Sequence, residues 1–305
     1  MQLPVAVRQE IEEQADALGF AALKRAAAAM SDAYREGRAA RLADAERTAA
    51  YLVTRMPATY AAAYAVLREV AARAGAIGSI LDAGAGTGAA SLAARAHFPE
   101  AAVTLVERDA AFAAAARQWL PGATLIAADI ARLDVLPPHD LVIAAYALGE
   151  FGAPVATRLW QAARVALVLI EPGTPRGFSL IRKVRGDLLA AGAHMLAPCP
   201  AETACPLADP DWCHFAARVE RSSLHRRVKG GELGYEDEKF SYVALAREPV
   251  ELPAARIIRH PQHRPGLIEI ETCTNTGLRT ERVTKRDRDR FRAARKAAWG
   301  DAGIS

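Results

Sequence analysis

A doubly wound α/β fold is what this sequence predicts, and three observations predict it. The stretch Ile80–Gly88 reads I-L-D-A-G-A-G-T-G, an apolar strand ending in Asp82-x-Gly84-x-Gly86-x-Gly88 that opens into an alanine-rich helical pattern, Ala89–His97. From residue 79 to 172 short apolar runs alternate with helical patterns. The runs close on acids: Asp82, Glu107, Asp129 and Glu171. Continuous apolar strands separated by helices belong to a parallel sheet buried on both faces. Ligands meet such sheets outside the carboxyl ends of their strands.

The totals agree. A chain of 305 residues holds one large domain or two modest ones, and 51% hydrophobic with 24% charged residues is ordinary for a globular protein. A formal charge of +4 is mild support for an anionic partner. No run of about 18 apolar residues occurs, so no membrane span is expected. The opening M-Q-L-P-V-A-V-R-Q-E-I-E-E carries acids early and lacks a basic stretch followed by an apolar core, so a cytoplasmic protein without a leader is expected.

Residues 1–75 read as helical. Leu23, Ala27, Met30 and Tyr34 share a face across Phe20–Gly37, and Tyr60, Tyr64, Leu67 and Ala71 do so after Pro57, which suits a first helical turn. Arg55 and Tyr60 are expected to serve packing rather than a ligand. Strands are predicted at Ser79–Ala83, Val103–Glu107, Thr124–Ala128, Leu141–Ala145 and Val165–Ile170, with a helix at Ala110–Trp119. Gly173–Cys213 changes character: a short helical pattern gives way to prolines and cysteines at a density that suits neither helix nor strand. Phe240–Ala246, Arg256–Arg259, Leu267–Thr272 and Leu278–Val283 then read as a largely antiparallel region, and Lys285–Trp299 as a basic helix whose face is Phe291, Ala294 and Ala298.

The glycine turn is the best-defined candidate site. Dinucleotide folds use G-x-G-x-x-G, and here the third glycine comes one residue early. The D-x-G-x-G-x-G form resembles the first motif of class I S-adenosylmethionine-dependent methyltransferases. That resemblance implies cofactor binding by Asp82, Gly84, Gly86 and Gly88, with Glu107 on the ribose hydroxyls and Asp129 on the adenine amino group. A carboxylate suits a diol because it accepts two hydrogen bonds. Tyr146, beyond the fourth strand, is a further candidate for the cofactor pocket. Amino-methyltransferases often carry D/N-P-P-Y there, whereas this chain has A-A-Y-A-L-G-E, so no catalytic residue is assigned. No cysteine lies in the α/β stretch, which speaks against a cysteine nucleophile.

The four cysteines, Cys199, Cys205, Cys213 and Cys273, are spaced C-x5-C-x7-C-x59-C. Three lie in proline-bordered turns with no other evident source of order. Four thiolates hold a [4Fe–4S] cluster or a structural zinc. Zinc ribbons show C-x2–4-C pairs, and their lack here favours an iron–sulfur cluster, with zinc as the alternative. His194 and His214 are possible substitutes for a thiolate.

Pro198-Cys199-Pro200, Cys205-Pro206, Trp212-Cys213-His214-Phe215, the run Y-E-D-E-K-F-S-Y at Tyr235–Tyr242, Cys273-Thr274, the tail A-A-W-G-D and the E-P-G-T-P-x-G-F run at Glu171–Phe178 together resemble the small-ribosomal-subunit methyltransferase-like family. Its members include mitochondrial factors for small-subunit assembly and bacterial relatives. The resemblance implies a class I methyltransferase fold (Rossmann-like, α/β), a four-cysteine iron–sulfur cluster and association with small-subunit rRNA. The domain organisation expected is an N-terminal helical region at 1–75, a Rossmann-like methyltransferase core at 76–172, and a cysteine-cluster insertion with antiparallel strands and a basic helix at 173–305.

Lys285–Lys296 holds seven basic and two acidic residues in twelve positions. Lys285, Arg286, Arg288, Arg290 and Arg292, with Arg226, Arg227 and Lys229 in a second cluster, are the candidate RNA contacts, and Arg279, Arg282, Arg182, Lys183 and Arg185 are possible additions. The function expected is that of a monomeric small-subunit assembly or maturation factor binding S-adenosylmethionine and rRNA. The alternatives are an active rRNA methyltransferase, and a methyltransferase acting on protein or a small molecule.

Overall fold

The structure, a computed structural model, describes residues 1–36 and 41–304, without the side chains of Tyr34 and Arg35. Four helices open the chain: α1 (Val5–Leu18), α2 (Phe20–Arg35), α3 (Asp44–Thr54) and α4 (Met56–Ala71). Strand and helix then alternate through β1 (Ser79–Ala83), α5 (Ala89–His97), β2 (Ala102–Val106), α6 (Ala110–Trp119), β3 (Thr124–Ile126), β4 (His139–Ala145), α7 (Leu148–Phe151), α8 (Ala153–Ala162) and β5 (Ala163–Pro172). Next come α9 (Pro175–Ala190), β6 (His194–Ala197), β7 (Phe215–Glu220), α10 (Ser223–Lys229) and β8 (Tyr235–Ala246). The last elements are β9 (Ala255–Ile257), β10 (Gln262–Arg264), β11 (Leu267–Thr274), β12 (Gly277–Thr284) and α11 (Arg288–Ala294).

Two compact units result, each built from separated stretches. The first takes Met1–Leu67, Gly78–Asp134 and Ala217–Glu238; the second takes Arg68–Ile77, Val135–Ala216 and Lys239–Ser305.

In the first unit β1 and β2 pair in parallel from Ser79↔Ala102 to Ala83↔Val106, and β2 pairs with β3 in parallel. The α5 helix buries Ala89 through Ala94 without a gap, since alanine lets a helix approach a sheet closely. The α6 helix starts where predicted because Asp109 accepts from the N–H groups of Ala111 and Phe112. The apolar face of α2 differs from the expected one. Leu23, Ala26 and Ala33 are buried, Ala27 and Met30 only half-buried, and the Tyr34 side chain and Gly37 lie outside what the structure describes. Pro57 occupies the first turn of α4, which is buried on nearly all sides from Met56 to Leu67, while Ala71 is exposed.

In the second unit β4 and β5 run parallel, and β8 pairs antiparallel with both β5 and β6. The sequence reading placed β8 with the C-terminal antiparallel strands; it pairs instead with β5, from Ala166↔Ala246 to Pro172↔Phe240. The reason is its pattern: Phe240–Ala246 is buried throughout, and such a strand needs a neighbour on each edge and cover on both faces. The C-terminal strands β9 to β12 form a four-stranded antiparallel sheet. On it α11 packs Ala294, with Phe291 and Ala297, against Ile257, Ile268, Ile270 and Val283. That helix starts later than predicted because Asp287 caps it, and it ends at Ala294, with Ala298 exposed beyond its end.

Further elements differ from the sequence reading, β6 and β10 among them, which fall where no strand was expected. The short helical pattern after Gly173 is a helix of 16 residues, α9. Residues 198–214 hold neither helix nor strand, as expected. The stretch Arg226–Gly231, read as a loop, is mostly helix α10, capped by Ser222 and ended by Gly230 at φ +64°. The six-residue β7 was missed.

The start of α9 is a tight turn. Gly173 N–H donates to Lys239 O at 2.9 Å, Gly177 N–H donates to Thr174 Oγ1 at 3.1 Å, and Pro175 fills the first helical position. A Cβ on Gly177 would stand 2.1 Å from Pro172 O, whereas one on Gly186, later in the same helix, would meet nothing within 4 Å. Gly177→Ala is therefore expected to lower stability by about 3 kcal/mol through overpacking. Gly186→Ala is expected to be neutral or to raise stability by up to ~1 kcal/mol through helix propensity. Urea denaturation of both variants measures the contrast; equal midpoints would show that the turn relaxes freely.

Candidate functional site

The glycine turn is built within the first unit. Gly84, Gly86 and Gly88 all have positive φ (73°, 53° and 79°), and the N–H groups of Gly84 and Ala85 both donate to Val106 O. Asp82 lies beneath, fully buried. Its Oδ2 accepts from Ser91 N at 3.1 Å and Ser91 Oγ at 2.6 Å, which fastens the first turn of α5 to the end of β1. Burial pushes its pKa up to about 6, against the pull of those two hydrogen bonds.

The three glycines do different work. A Cβ on Gly88 would sit 2.9 Å from Leu120 Cδ1 and 3.1 Å from Ala116 Cβ, so α6 packing demands this glycine. A Cβ on Gly86 would meet nothing within 4 Å, which leaves open space against the turn. Gly86 N–H donates to Glu107 Oε2 at 2.7 Å, and Glu107 Oε1 accepts from Asp109 N at 2.8 Å. Each of these oxygens keeps a lone pair for a further donor. Trp119 Nε1 supports the turn from α6 by donating to Thr87 O at 2.8 Å.

Asp129 lies in the same unit three residues beyond β3, which ends at Ile126 rather than at the expected Ala128. It caps the short turn Ile130–Arg132 through Ala131 N at 3.0 Å and pairs with Arg108 at 3.2 Å; the backbone hydrogen bond leads in holding its carboxyl below the usual range. The sequence reading missed Arg47 of α3, which donates to Asp109 and lies 4.8 Å over the Phe112 ring. Its only sequence signal is a basic residue in a helix otherwise read as packing. Tyr60 is buried, and Arg55 pairs with Glu238 at 3.3 Å.

Tyr146 belongs to the second unit. Directly beyond β4 it adopts φ +58°, a left-handed conformation uncommon for a bulky residue, with its N–H on Ile170 O at 2.7 Å. Beside it Glu171 is buried and accepts from Gly149 N at 3.1 Å. Burial pushes the Glu171 carboxyl up to about 7, although the N–H groups of Gly149 and Leu148 oppose the rise. Held backbone strain and a carboxyl that titrates near neutrality are both features of working sites. The sequence exposed Glu171 only as a strand-end acid and gave no sign of the strain.

All four cysteines, from residues 199 to 273, line one cavity of about 60 Å³ in the second unit. They are free thiols, each half-buried. Phe178, Ile181, Arg182 and Arg185, spaced i, i+3, i+4 and i+7 along α9, form one wall. Burial and mutual repulsion among the four push the Cys213 thiol well up and Cys273 to about 11; burial likewise raises Cys199, opposed by Arg185. Four thiolates here therefore call for a compensating cation. Among the described residues no three His, Cys, Asp or Glu side chains converge closely enough to hold a single metal ion. Neither His194, which contacts Glu202, nor His214, stacked on Trp212, is among the lining residues.

The candidate RNA contacts fall into two groups. Arg226, Arg227 and Lys229 are exposed on α10 in the first unit, with Arg227 over the Phe20 ring and Lys229 donating to Glu236. Lys285, Arg286, Arg288, Arg290 and Arg292 are exposed in the second unit, where Arg290 pairs with Glu281 and Arg292 with Asp289. Two of the possible additions do not belong with them. Arg185 is buried, and Arg182 donates to Leu207 O beside the cysteine cavity.

The chain's relatives can now be placed. It is 31% identical over 182 residues to the human mitochondrial ribosome assembly protein METTL17, across 53% of this chain and 39% of that protein. It is 27% identical over 179 residues to Rsm22-cox11 tandem protein 2 of Schizosaccharomyces pombe, a mitochondrial protein, across 44% of this chain and 24% of that protein. The matches thus span well under half the length of these relatives. Among solved structures, precorrin-6y C5,15-methyltransferase from Geobacter metallireducens is similar at TM-score 0.39 and 17% identity, covering 59% of this chain and 85% of that one. The amino pentose methyltransferase CalS10 from Micromonospora echinaspora gives 0.34 and 18%, with 73% and 74% covered. The fold class is α/β of the class I methyltransferase kind, and it is the chain's own strand pairing and glycine turn that carry the assignment. A family model described as mitochondrial small ribosomal subunit Rsm22 matches residues 45–303, and with that span the chain belongs to the Rsm22 family.

Proposed function

We propose that this protein is an assembly or maturation factor of the small ribosomal subunit, binding S-adenosylmethionine at the glycine turn, a [4Fe–4S] cluster at the four cysteines and rRNA through its basic surfaces. The observation that carries the reading is the family match across residues 45–303.

The cofactor reading is supported by the open space against Gly86 and by the free lone pairs of Glu107. Bound S-adenosylmethionine would supply an electrophilic methyl group; this chain's own residues would hold it, with Glu107 accepting from ribose hydroxyls and Asp129 from the adenine amino group. The cluster reading is supported by four thiols facing one cavity whose burial disfavours their ionisation without a cation. A polynuclear cluster holds its thiolates farther apart than one zinc ion does, with its Zn–S bonds of about 2.3 Å, so iron–sulfur is preferred to zinc. The rRNA reading rests on the exposed basic residues of α10 and of residues 285–292. A second reading, an active rRNA methyltransferase, is favoured by the strained Tyr146 beside Glu171.

Calorimetry with S-adenosylmethionine tests the first centre. The wild-type chain is expected to bind, and Gly86→Trp, which fills the open space, to lose binding; equal affinities would remove the cofactor from the glycine turn. Mapping small-subunit rRNA methylation in cells with and without the protein then separates the readings. A lost mark identifies an enzyme, and unchanged marks with defective subunits identify an assembly factor.

Cys205→Ser is expected to give a colourless, less stable protein, because the loops it orders bury little by themselves. Absorbance near 400 nm, typical of iron–sulfur centres, and metal analysis check this. A variant that kept the chromophore would remove Cys205 from the ligand set, and one zinc per wild-type chain would replace the cluster.

Binding to small-subunit rRNA is expected to weaken with salt at a log–log slope of roughly −4 to −5 if about six phosphates are neutralised. A flat dependence would exclude the basic surfaces as the contact.

A further inference from the structure

Two buried arginines flank the cysteine cavity, and their surroundings differ. Arg256, on β9, is 2% exposed and lies 3.0 Å from Glu69 Oε2, so a carboxylate balances its charge. It also donates to Pro198 O at 2.9 Å and Gly300 O at 2.7 Å. Arg185, on α9, is 7% exposed and has no carboxylate partner among the described residues. Its Nη2 donates to Ala201 O at 2.7 Å and Thr203 O at 2.9 Å, while its Nε is buried with no hydrogen-bond acceptor among the described residues.

A buried guanidinium with only neutral partners is costly to keep. An anion beside it would remove that cost. The groups able to become anionic here are the thiols, and all four cysteines line the same cavity as Arg185. The two carbonyls that Arg185 holds belong to residues 201 and 203, midway between Cys199 and Cys205. One planar side chain therefore ties the loop joining two cysteines to α9 and brings a fixed positive charge to the cavity.

We propose that Arg185 is a positioning residue for the four-cysteine centre: it clamps the Cys199–Cys205 loop and serves as the counter-cation for thiolates bound to the cluster. The inference rests on the cluster reading given above. Four thiolates leave an iron–sulfur centre net negative, and a cation beside it favours the reduced, more negative form. Net charge and hydrogen bonds to sulfur are among the determinants of cluster potential.

The test compares the full-length wild type with Arg185→Met and Arg185→Lys, each purified anaerobically. Iron and sulfide content, the rate of iron loss to an external chelator and the reduction potential are measured. Arg185→Met is expected to lose iron about tenfold faster, the lower end of the range for changes beside metal ligands, and to show a more negative potential. Arg185→Lys keeps the charge without the planar fork, so it is expected to hold a potential near that of the wild type while releasing iron faster.

If Arg185→Met does not fold, the lysine variant decides: unchanged iron release, or a potential as far displaced as a lost charge predicts, overturns the proposal. Arg185→Met that matches the wild type in both release rate and potential also overturns it, and leaves the cluster reading intact. A wild-type chain that takes up no iron overturns the cluster reading and this inference together.

Discussion

Between Pro172 and Gly177 the backbone turns so tightly that a single added methyl would collide with a carbonyl oxygen, and much of the second unit depends on that close approach. The turn ends β5, where the strand is fully buried, and starts α9 at once. It thereby sets which face of the helix carries Phe178, Ile181 and Arg185 toward the cysteines. Its other contacts reach the same place. Gly173 O accepts from Trp212 Nε1 at 3.0 Å, next to Cys213, and a Cβ on Gly173 would meet the Lys239 and Phe240 backbone of β8 at 2.7 Å. Ser241 of β8 in turn donates to Cys213 O at 2.7 Å. Helix, strand and cysteine loop are thus referred to one turn.

The loops that carry Cys199, Cys205 and Cys213 contribute few large apolar side chains, so ordinary hydrophobic burial gives them little order. What the chain supplies instead is a set of donors aimed at their carbonyls. Arg182 reaches Leu207, Arg185 reaches Ala201 and Thr203, and Arg256 reaches Pro198. Hydrogen bonds from a charged donor are stronger than neutral ones and fix direction as well as distance. Such bonds satisfy backbone groups that no helix or sheet partner serves. In the proposed reading, a centre with four anionic ligands would add order and balance the buried charge of Arg185.

In the first unit the same economy of contacts appears around the glycine turn. Asp82 and Gly88 serve the fold, one by fastening α5 and the other by admitting α6, while Gly86 and Glu107 face the open side. A motif read as a cofactor signature is therefore partly a packing device. Of its residues, Gly86 has open space against it, and Glu107, from the end of β2, stands beside it.

The sequence alone determined whatever repeats at short range. The parallel strands of residues 79–172 were legible because burial on both faces writes a continuous apolar run, as in Leu141–Ala145. The α6 boundaries were legible because Asp109 signals a cap. The four cysteines read as one group by their chemistry, and they line one cavity. Tertiary structure decided what depends on distant partners. The continuous apolar run Phe240–Ala246 differs from the alternating β11 and marks a strand covered on both faces, but nothing local names β5 as its partner. Arg185 looked like its neighbours Arg182 and Lys183, and only the packing of α9 on the cavity turned it inward. The left-handed Tyr146 and the raised Glu171 carboxyl were likewise invisible, because strain and desolvation are properties of the surroundings rather than of the residue. A residue's propensities are written in its own chemistry; its electrostatic environment exists only once the chain has closed around it.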